Sequence, residues 1–433
     1  MDTTNKTKRP RFMFKKKFTH KFFKKPLPKA EDIFDVNSLI PQTEEKIENE
    51  IPKELVENEI SKEPLENGFI NMGLCPTLIK ALDKKNFTTP TPIQKSAIPV
   101  AVKGKDIVGV AQTGTGKTLA FSLPIMERLS TLPGKKALIV LPTRELAMQV
   151  EETLKKFLPQ MNMRSALLIG GTPKGRQVRD IHRNPHVIIG TPGRIIDHLN
   201  DKILHLKNLE ILVLDEADRM LDMGFAPQLN QILRNAPKER QTMLFSATMP
   251  DEIAKIAAAF MQNPQRIEVS RPGQVVEKIR QELIFVAREK KNQALEKILK
   301  KYTGTVLVFS RTKHGARKIC KSIKYMGYST AEIHSNKSLN QRIEALEGFK
   351  KGKYRILVAT DIASRGIDVN NIELIVNYDL PENAEDYVHR IGRTARAGKM
   401  GRAISLASPD QKRKIASIER LTKMRIPQIN SIN

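Results

Sequence analysis

The sequence predicts an α/β protein made of two tandem domains, each with a parallel, doubly wound sheet, preceded by a disordered N-terminal extension. Three observations predict it. From about residue 69, short apolar runs alternate with longer helix-like stretches. The runs hold Val, Ile and Leu without polar alternation, as strands buried on both faces do. The series then occurs twice, divided by Arg271-Pro272-Gly273-Gln274, whose Pro-Gly pair marks a hinge.

The first series comprises Ile107-Val108-Gly109-Val110 and residues 137–141, 187–189, 209–214 and 243–245. Residues 118–129 and 144–158 are long enough for crossover helices, and alternating strand and helix implies a parallel sheet. The second series comprises residues 283–286, 306–309, 356–359 and 374–376. The predicted division is therefore an extension at 1–66, a first domain at 67–272, a linker at 273–281, a second domain at 282–410 and a short basic tail at 411–433.

The formal net charge of +27 is unevenly spread. Residues 1–30 carry +10, residues 31–66 carry −9 and residues 411–433 carry +5, which leaves +21 on the body at 67–410. An excess of that size suits a polyanion, nucleic acid above all. The first segment interleaves Lys8, Arg9, Arg11, Lys15, Lys16 and Lys17 with Phe12, Phe14 and Phe18. It reads equally as a nucleic-acid-gripping arm, with cations for phosphates and rings for stacking, or as a solubilising tail. The acidic segment after it reads as a linker able to fold back on the arm and compete with nucleic acid. Unchanged nucleic-acid affinity at low salt after deleting 31–66 would refute that competition.

No apolar run approaches the ~20 residues that span a bilayer, and no amphipathic stretch suits a membrane surface. The first thirty residues are Lys- and Phe-rich, which fits neither a secretory signal nor an Arg- and Ser-rich transit peptide. Cys75 and Cys320 lie far apart and match no metal spacing; two buried thiols in a reducing, cytoplasmic compartment is the expectation.

Ala111-Gln112-Thr113-Gly114-Thr115-Gly116-Lys117-Thr118 follows a predicted strand and opens a predicted helix, the setting a P-loop requires. Its glycines let backbone N–H groups face phosphate oxygens, and the helix N-terminus adds partial positive charge. Lys117 supplies a point charge to the β- and γ-phosphates, and Thr118 a hydroxyl for Mg²⁺. Ala111 stands where the general pattern has Gly, a small and harmless change. Asp215-Glu216-Ala217-Asp218 closes another strand, at the sheet end where open α/β folds bind ligands. Asp215 is expected to hold Mg²⁺, and Glu216 to orient and deprotonate the attacking water. Ser246-Ala247-Thr248, at the end of the next strand, comes within hydrogen-bonding reach of Asp218. In the second domain, His389-Arg390-Ile391-Gly392-Arg393-Thr394-Ala395-Arg396 places arginines three apart on one helical face. Arg393 and Arg396 would reach across the cleft to the γ-phosphate, the alternative being a solvated basic face.

The ordered series resembles the DEAD-box RNA helicases of superfamily 2 over residues 69–408, with residues 215–225 suggesting the bacterial RhlE-like branch. The resemblance implies two tandem RecA-like P-loop domains, ATP and Mg²⁺ as cofactors, and RNA-stimulated ATP hydrolysis that unwinds short duplexes or remodels RNA–protein complexes. Phe69, Phe87 and Pro90-Thr91-Pro92-Ile93-Gln94 match the family's adenine-reading motif, so that Gln94 would bond the adenine edge and Phe87 pack on its ring. The matches Thr143 and Arg144, Gly171, Thr191 and Arg194, Arg311, and Thr360 imply RNA contacts. Gly366 and Asp368 would face the nucleotide, while Asp218, Ser246, Thr248 and His389 would couple the sites. Three departures stand out: His334-Ser335 for the family's His-Gly, Leu339 for a Gln, and Asn86 for the Gly before Phe87.

Two rival readings share this engine: a clamp that uses ATP only to lock onto RNA, and a DNA translocase. The physiological RNA is left open, whether ribosome precursor, cold-stabilised message or decay substrate. So are ribosome-assembly or RNA-decay proteins as partners.

Overall fold

The computed structural model describes residues 67–112, 114–269, 279–361, 372–394 and 400–429. The N-terminal extension, the 271–274 hinge, Thr113, Gly366, Asp368 and Arg396 lie outside the described residues.

The first lobe holds β1 (Ile107–Val110), β2 (Lys136–Val140), β3 (Ser165–Leu168), β4 (Val187–Gly190), β5 (Leu209–Leu214), β6 (Gln241–Ser246) and β7 (Gln265–Glu268). They form one sheet in the order β3-β4-β2-β5-β6-β1-β7, every pairing parallel. The second lobe holds β8 (Ile279–Phe285), β9 (Val306–Phe309), β10 (Thr330–Ile333), β11 (Ile356–Ala359), β12 (Leu374–Asn377) and β13 (Gly401–Ala407), in the order β10-β11-β9-β12-β13-β8. These pairings too are parallel.

Two-sided burial explains the unbroken apolar runs. Along β5, Ile211 and Val213 join the apolar cluster of Phe121 and Phe245, while Leu212 and Leu214 join that of Met220 and Leu229 on the opposite face. Crossover helices cover both faces, as parallel connections demand. One of them, Lys117–Thr131, sets the Phe121 ring 5.6 Å from that of Phe245.

The structure corrects the sequence reading at the linker and at Cys75, and at the basic tail it decides between a longer RNA footprint and a helix that closes the second lobe. Residues 279–281, expected in the linker, already belong to β8, with Ile279 in register with Gly401. The tail forms the helix of the second alternative, Lys412–Thr422, which buries Ile415 and Ile418 in the second lobe's core, where Ile426 joins them. Leu283 there bridges to Gln428 in parallel fashion. Cys320 is buried as expected, but Cys75 is only half-buried.

Candidate active site

Three adjacent strands deliver the first lobe's chemistry. In the order β5-β6-β1, each ends in one motif: Asp215 after β5, Ser246 at the end of β6 and Ala111 after β1. The Ala111 N–H donates to the Ser246 carbonyl at 2.9 Å, which ties the phosphate loop to the neighbouring strand end. Lys117 opens the helix after the loop and is 6% exposed; its Nζ lies 3.0 Å from the Ala111 carbonyl and 3.9 Å from Asp215 Oδ1. The lysine thus bridges the two motifs. Gln112 and Thr115 close the loop, Thr115 Oγ1 donating to the Gln112 carbonyl at 2.8 Å. Thr118 is half-buried one residue further, and Gly114 takes φ +83°.

Gly116 has φ +96°, and a Cβ built on it would come 2.5 Å from Gln94 Nε2. Glycine is therefore required twice there, for backbone angle and for space. Gln94 Nε2 donates to the Gly116 carbonyl at 3.0 Å, and Oε1 accepts from the Thr91 N–H at 2.9 Å. An amide has two N–H groups and two acceptor lone pairs, so one donor and one acceptor position stay open for a base edge. Phe87 is half-buried, its ring 6.1 Å from Phe157, while Phe69 is a core residue at 1% exposure. Asn86 takes φ +59°, the angle for which Asn is the tolerated substitute for Gly.

Glu216 also lies in the left-handed region, at φ +53°. Its turn points the carboxylate back to Arg219, 1% exposed, whose Nη1 donates to Glu216 Oε2. Burial alone would raise the Glu216 carboxyl, but Arg219, Lys117 and Arg393 outweigh it and hold the pKa below the usual range. Asp215 goes the other way: burial pushes it up to about 6 although Lys117 opposes the shift. Asp218 Oδ2 accepts from the N–H groups of Ala247 and Thr248 at 3.1 and 2.9 Å and from Thr248 Oγ1 at 2.9 Å. Its own N–H donates to Ser246 Oγ at 3.2 Å. The Ser-Ala-Thr segment therefore reaches Asp218 as the sequence led us to expect.

The second lobe contributes His389 and Arg393. The helix Ala384–Ile391 ends at Gly392, so Arg393 lies in the following turn, its N–H donating to the Arg390 carbonyl at 3.2 Å. The expectation of a common helical face for the arginines fails, because the helix stops before Arg393. Arg393 is 4% exposed and near enough to Glu216 to help keep it ionised. His389 is pulled down to about 4, first by burial and then by Arg219 and Arg393, with Asp218 and Glu216 opposing. Arg390, at 2% exposure, pairs with Asp361 and donates to the Asp379 carbonyl at 2.6 Å.

The residues expected to hold RNA follow the ends of other strands of the two sheets, β2, β3 and β4 in the first lobe and β9 and β11 in the second. Thr143 is buried, its Oγ1 accepting from the Leu146 N–H at 3.3 Å, so it also caps the helix Arg144–Lys155. Arg144 lies over Gly170 and Gly171; a Cβ on Gly171, at φ +80°, would come 2.6 Å from Arg144 Nη1. Thr191 precedes the helix Pro192–Asn200, from which Arg194 Nε lies 3.3 Å from Asp197. In the second lobe the Arg311 N–H donates to Asp379 Oδ2 at 3.1 Å, and Thr360 follows β11 directly.

Sequence reasoning missed the contact joining the lobes here. Arg342, on the helix Leu339–Lys350, meets Glu145 of the first lobe at 2.7 Å, both side chains largely buried. One turn away, Leu339 is 5% exposed within the first lobe's apolar cluster, with Ile343 packed against it. Leu339, noted as a departure, thus makes an apolar interlobe contact beside Gly171. His334 is 4% exposed, with Nε2 3.6 Å from Glu332 and its pKa lowered by burial.

Comparison with known proteins follows the same two-lobe division. The DEAD/DEAH box helicase family matches residues 91–256, and the helicase conserved C-terminal domain matches residues 290–398. An ATP-dependent rRNA helicase RRP3 of Eremothecium gossypii is 46% identical over 366 residues, spanning 84% of this chain and 75% of that one. A DEAD-box ATP-dependent RNA helicase CshA of Bacillus cereus is 41% identical over 365 residues, spanning 84% and 70%. Among solved structures, S. cerevisiae Dbp5 bound to RNA and ADP BeF3 superimposes with a TM-score of 0.77 at 30% identity, covering 84% of this chain and 96% of that one.

Proposed function

The chain belongs to the DEAD-box ATP-dependent RNA helicases, and on that premise we propose that its lobes close over ATP and a single strand of RNA, coupling hydrolysis to the unwinding of short duplexes or the remodelling of RNA–protein complexes. It is an ATP-hydrolysing enzyme. The observation that carries the mechanism is the convergence on Glu216 of Lys117 and Arg219 from one lobe and Arg393 from the other.

In this reading the closing bodies are 67–272 and 282–410, the second carrying the Lys412–Thr422 helix. Gln94 and Phe87 select adenine. The loop from Ala111 through Gly116 cradles the phosphates, with Thr113 as a member, and Lys117 neutralises their charge. Glu216 orients the attacking water, while Arg393 and Arg396 meet the charge that spreads over the γ-phosphate oxygens. Gly366 and Asp368 complete the nucleotide's second-lobe side. Asp218, Ser246, Thr248 and His389 transmit closure. Thr143, Arg144, Gly171, Thr191, Arg194, Arg311 and Thr360 hold the sugar–phosphate backbone, which makes binding sequence-independent and salt-sensitive. Mg²⁺ fits Thr118 and Asp215: the Asp215 carboxylate is buried with only partial compensation from Lys117, and a hard cation would supply the rest. When bound, the ion neutralises charge on the β- and γ-phosphates.

The experiment that tests this function measures ATPase with and without RNA beside separation of a short duplex. Turnover indifferent to RNA, or RNA-stimulated turnover that never displaces a strand or a bound protein, would sink it. Matched RNA and DNA competitors separate the DNA translocase reading.

Two further outcomes are expected from the interlobe contacts. Arg342→Ala leaves Glu145 buried without its partner, a loss of about 1–3 kcal/mol. The KM for RNA should then rise roughly ten- to a hundredfold while kcat at saturating RNA is kept; an unchanged KM would show that the pair does not stabilise closure. His389 gives a pH dependence. Its closed-state pKa of about 4 lies below the ordinary value of 6.5, so closure favours the neutral ring. That stabilisation is complete above pH ~6.5 and is lost as pH falls toward ~4, by at most about tenfold per pH unit. Lobe closure followed by interdomain fluorescence transfer should weaken from pH 7.5 to 5.5, and His389→Gln should flatten the curve.

We also assign the chain to the RhlE-like branch on residues 215–225, an assignment that a phylogeny grouping it elsewhere overturns. The RRP3 relative, named for rRNA, supports a ribosome precursor as the RNA and ribosome-assembly proteins as partners. The free thiols of Cys75 and Cys320 support a cytoplasmic location. Crosslinking the bound RNAs in cells tests the first of these.

A further inference from the structure

The helix Lys313–Tyr325 carries Lys313, Arg317, Lys318, Lys321 and Lys324 among thirteen residues and no Asp or Glu. Its inner face, Ala316, Ile319, Cys320 and Ile323, is buried in the second lobe, and all five cations are exposed. None of the five makes an ion pair with any described residue. Some lysines of other surface helices are paired, Lys155 with Glu151, Lys300 with Glu296 and Lys350 with Glu347. Like charges four apart, Lys313 with Arg317 and Arg317 with Lys321, destabilise a helix, and Lys313 in the first turn opposes the dipole that Lys324 in the last turn suits. This face is built against its own helix.

Its position suggests what offsets that cost. The helix begins at the Thr312 cap, immediately after Arg311. The Ser310 N–H donates to the Ala359 carbonyl at 2.9 Å, which sets Thr360 beside Ser310 at the same sheet end. The cationic stripe therefore starts at the residues assigned to RNA in the second lobe and runs away from them for about 20 Å, at 1.5 Å per residue.

We infer that this stripe is a second RNA-backbone surface, which grips the strand or flanking duplex that leaves the cleft and anchors the enzyme beside its target. The inference rests on the proposed function and adds the substrate it prefers: RNA longer than the cleft itself holds.

The test replaces Arg317, Lys318, Lys321 and Lys324 together by Gln, a good helix former at exposed positions, with an unchanged thermal melt as the control. Two RNAs are compared, a single strand just long enough to span both lobes and the same strand with a flanking duplex at either end. Stimulation of ATPase by the short strand reports on the proposed function separately, and it should be unaltered. Affinity for the extended RNA should fall about tenfold or more at low salt, with the slope of log affinity against log salt shallower by roughly 0.7–0.9 per lost phosphate contact. Lys321→Glu alone should give the same ranking to a smaller degree. Equal weakening on both RNAs, or no weakening on either, overturns the inference; the second result would leave an acidic protein as the candidate for this face.

Discussion

Replacing Glu216 with Gln is expected to lower RNA-stimulated turnover by about 10² to 10⁴, the range lost when a group that positions or deprotonates the nucleophile is removed. ATP and RNA binding should be retained. The amide keeps the shape of the carboxylate and its left-handed backbone but removes the charge that Arg219, Lys117 and Arg393 surround. The depressed pKa adds a detail the residue type alone does not carry. A carboxylate held ionised by three cations is a weak proton acceptor, so on the proposed mechanism Glu216 would serve chiefly to orient water. A loose phosphoryl-transfer transition state asks no more than that. The pH profile of kcat should consequently show no Glu216 titration above the normal carboxylate range. Normal turnover in the Gln variant, or a Glu216-dependent limb near neutrality, would remove it from the proposed role. Because Arg219 is itself buried, the thermal melt must be recorded alongside; a variant that binds ATP tightly yet turns over slowly separates catalysis from folding.

Arg393→Ala should cost about 10³ to 10⁵ in kcat, the worth of an arginine finger in related phosphoryl-transfer chemistry. Lysine should restore little, since a point charge does not reproduce the planar fork of the guanidinium. Arg393 comes from the lobe opposite the phosphate loop, so the loss should appear in kcat at saturating RNA and ATP while nucleotide affinity changes far less. An Arg393→Ala enzyme with full kcat would mean that the first lobe hydrolyses ATP alone.

How much of the fold could be read from the sequence depended on where each strand lies in its sheet. Interior strands such as β5 and β9 bury every or nearly every residue and appear as apolar runs, broken in β5 only by Glu210, found with their correct bounds. The strands that escaped notice are mostly at sheet edges. β3 and β10 are half-exposed, and β7 buries only Ile267, so none shows the continuous run. β13 is interior but was hidden by Arg402 and Ser405, the latter buried with a hydrogen bond from Asn377. The tail helix was ambiguous for a similar reason, as three buried isoleucines among many bases disclose a core contact only once the second lobe is present.

The sequence by itself determined which motifs stand at the strand ends of the first lobe. The phosphate loop, the Asp215–Asp218 acids and the Ser-Ala-Thr segment are short contiguous stretches whose backbone geometry is local, so residue order is enough to specify them. It also specified parallel sheets, because two-sided burial leaves its mark residue by residue. Tertiary structure alone decided the pairings between lobes. Glu145 and Arg342 are 197 positions apart, and no periodicity announces that they meet. Leu339 is an ordinary helix residue until it enters the other lobe's apolar cluster. Arg393 acts on Glu216 only because its helix ends at Gly392 and the turn that follows comes near the acids of the first lobe. Burial is written in local sequence; which buried charge faces which is fixed only by how the lobes pack.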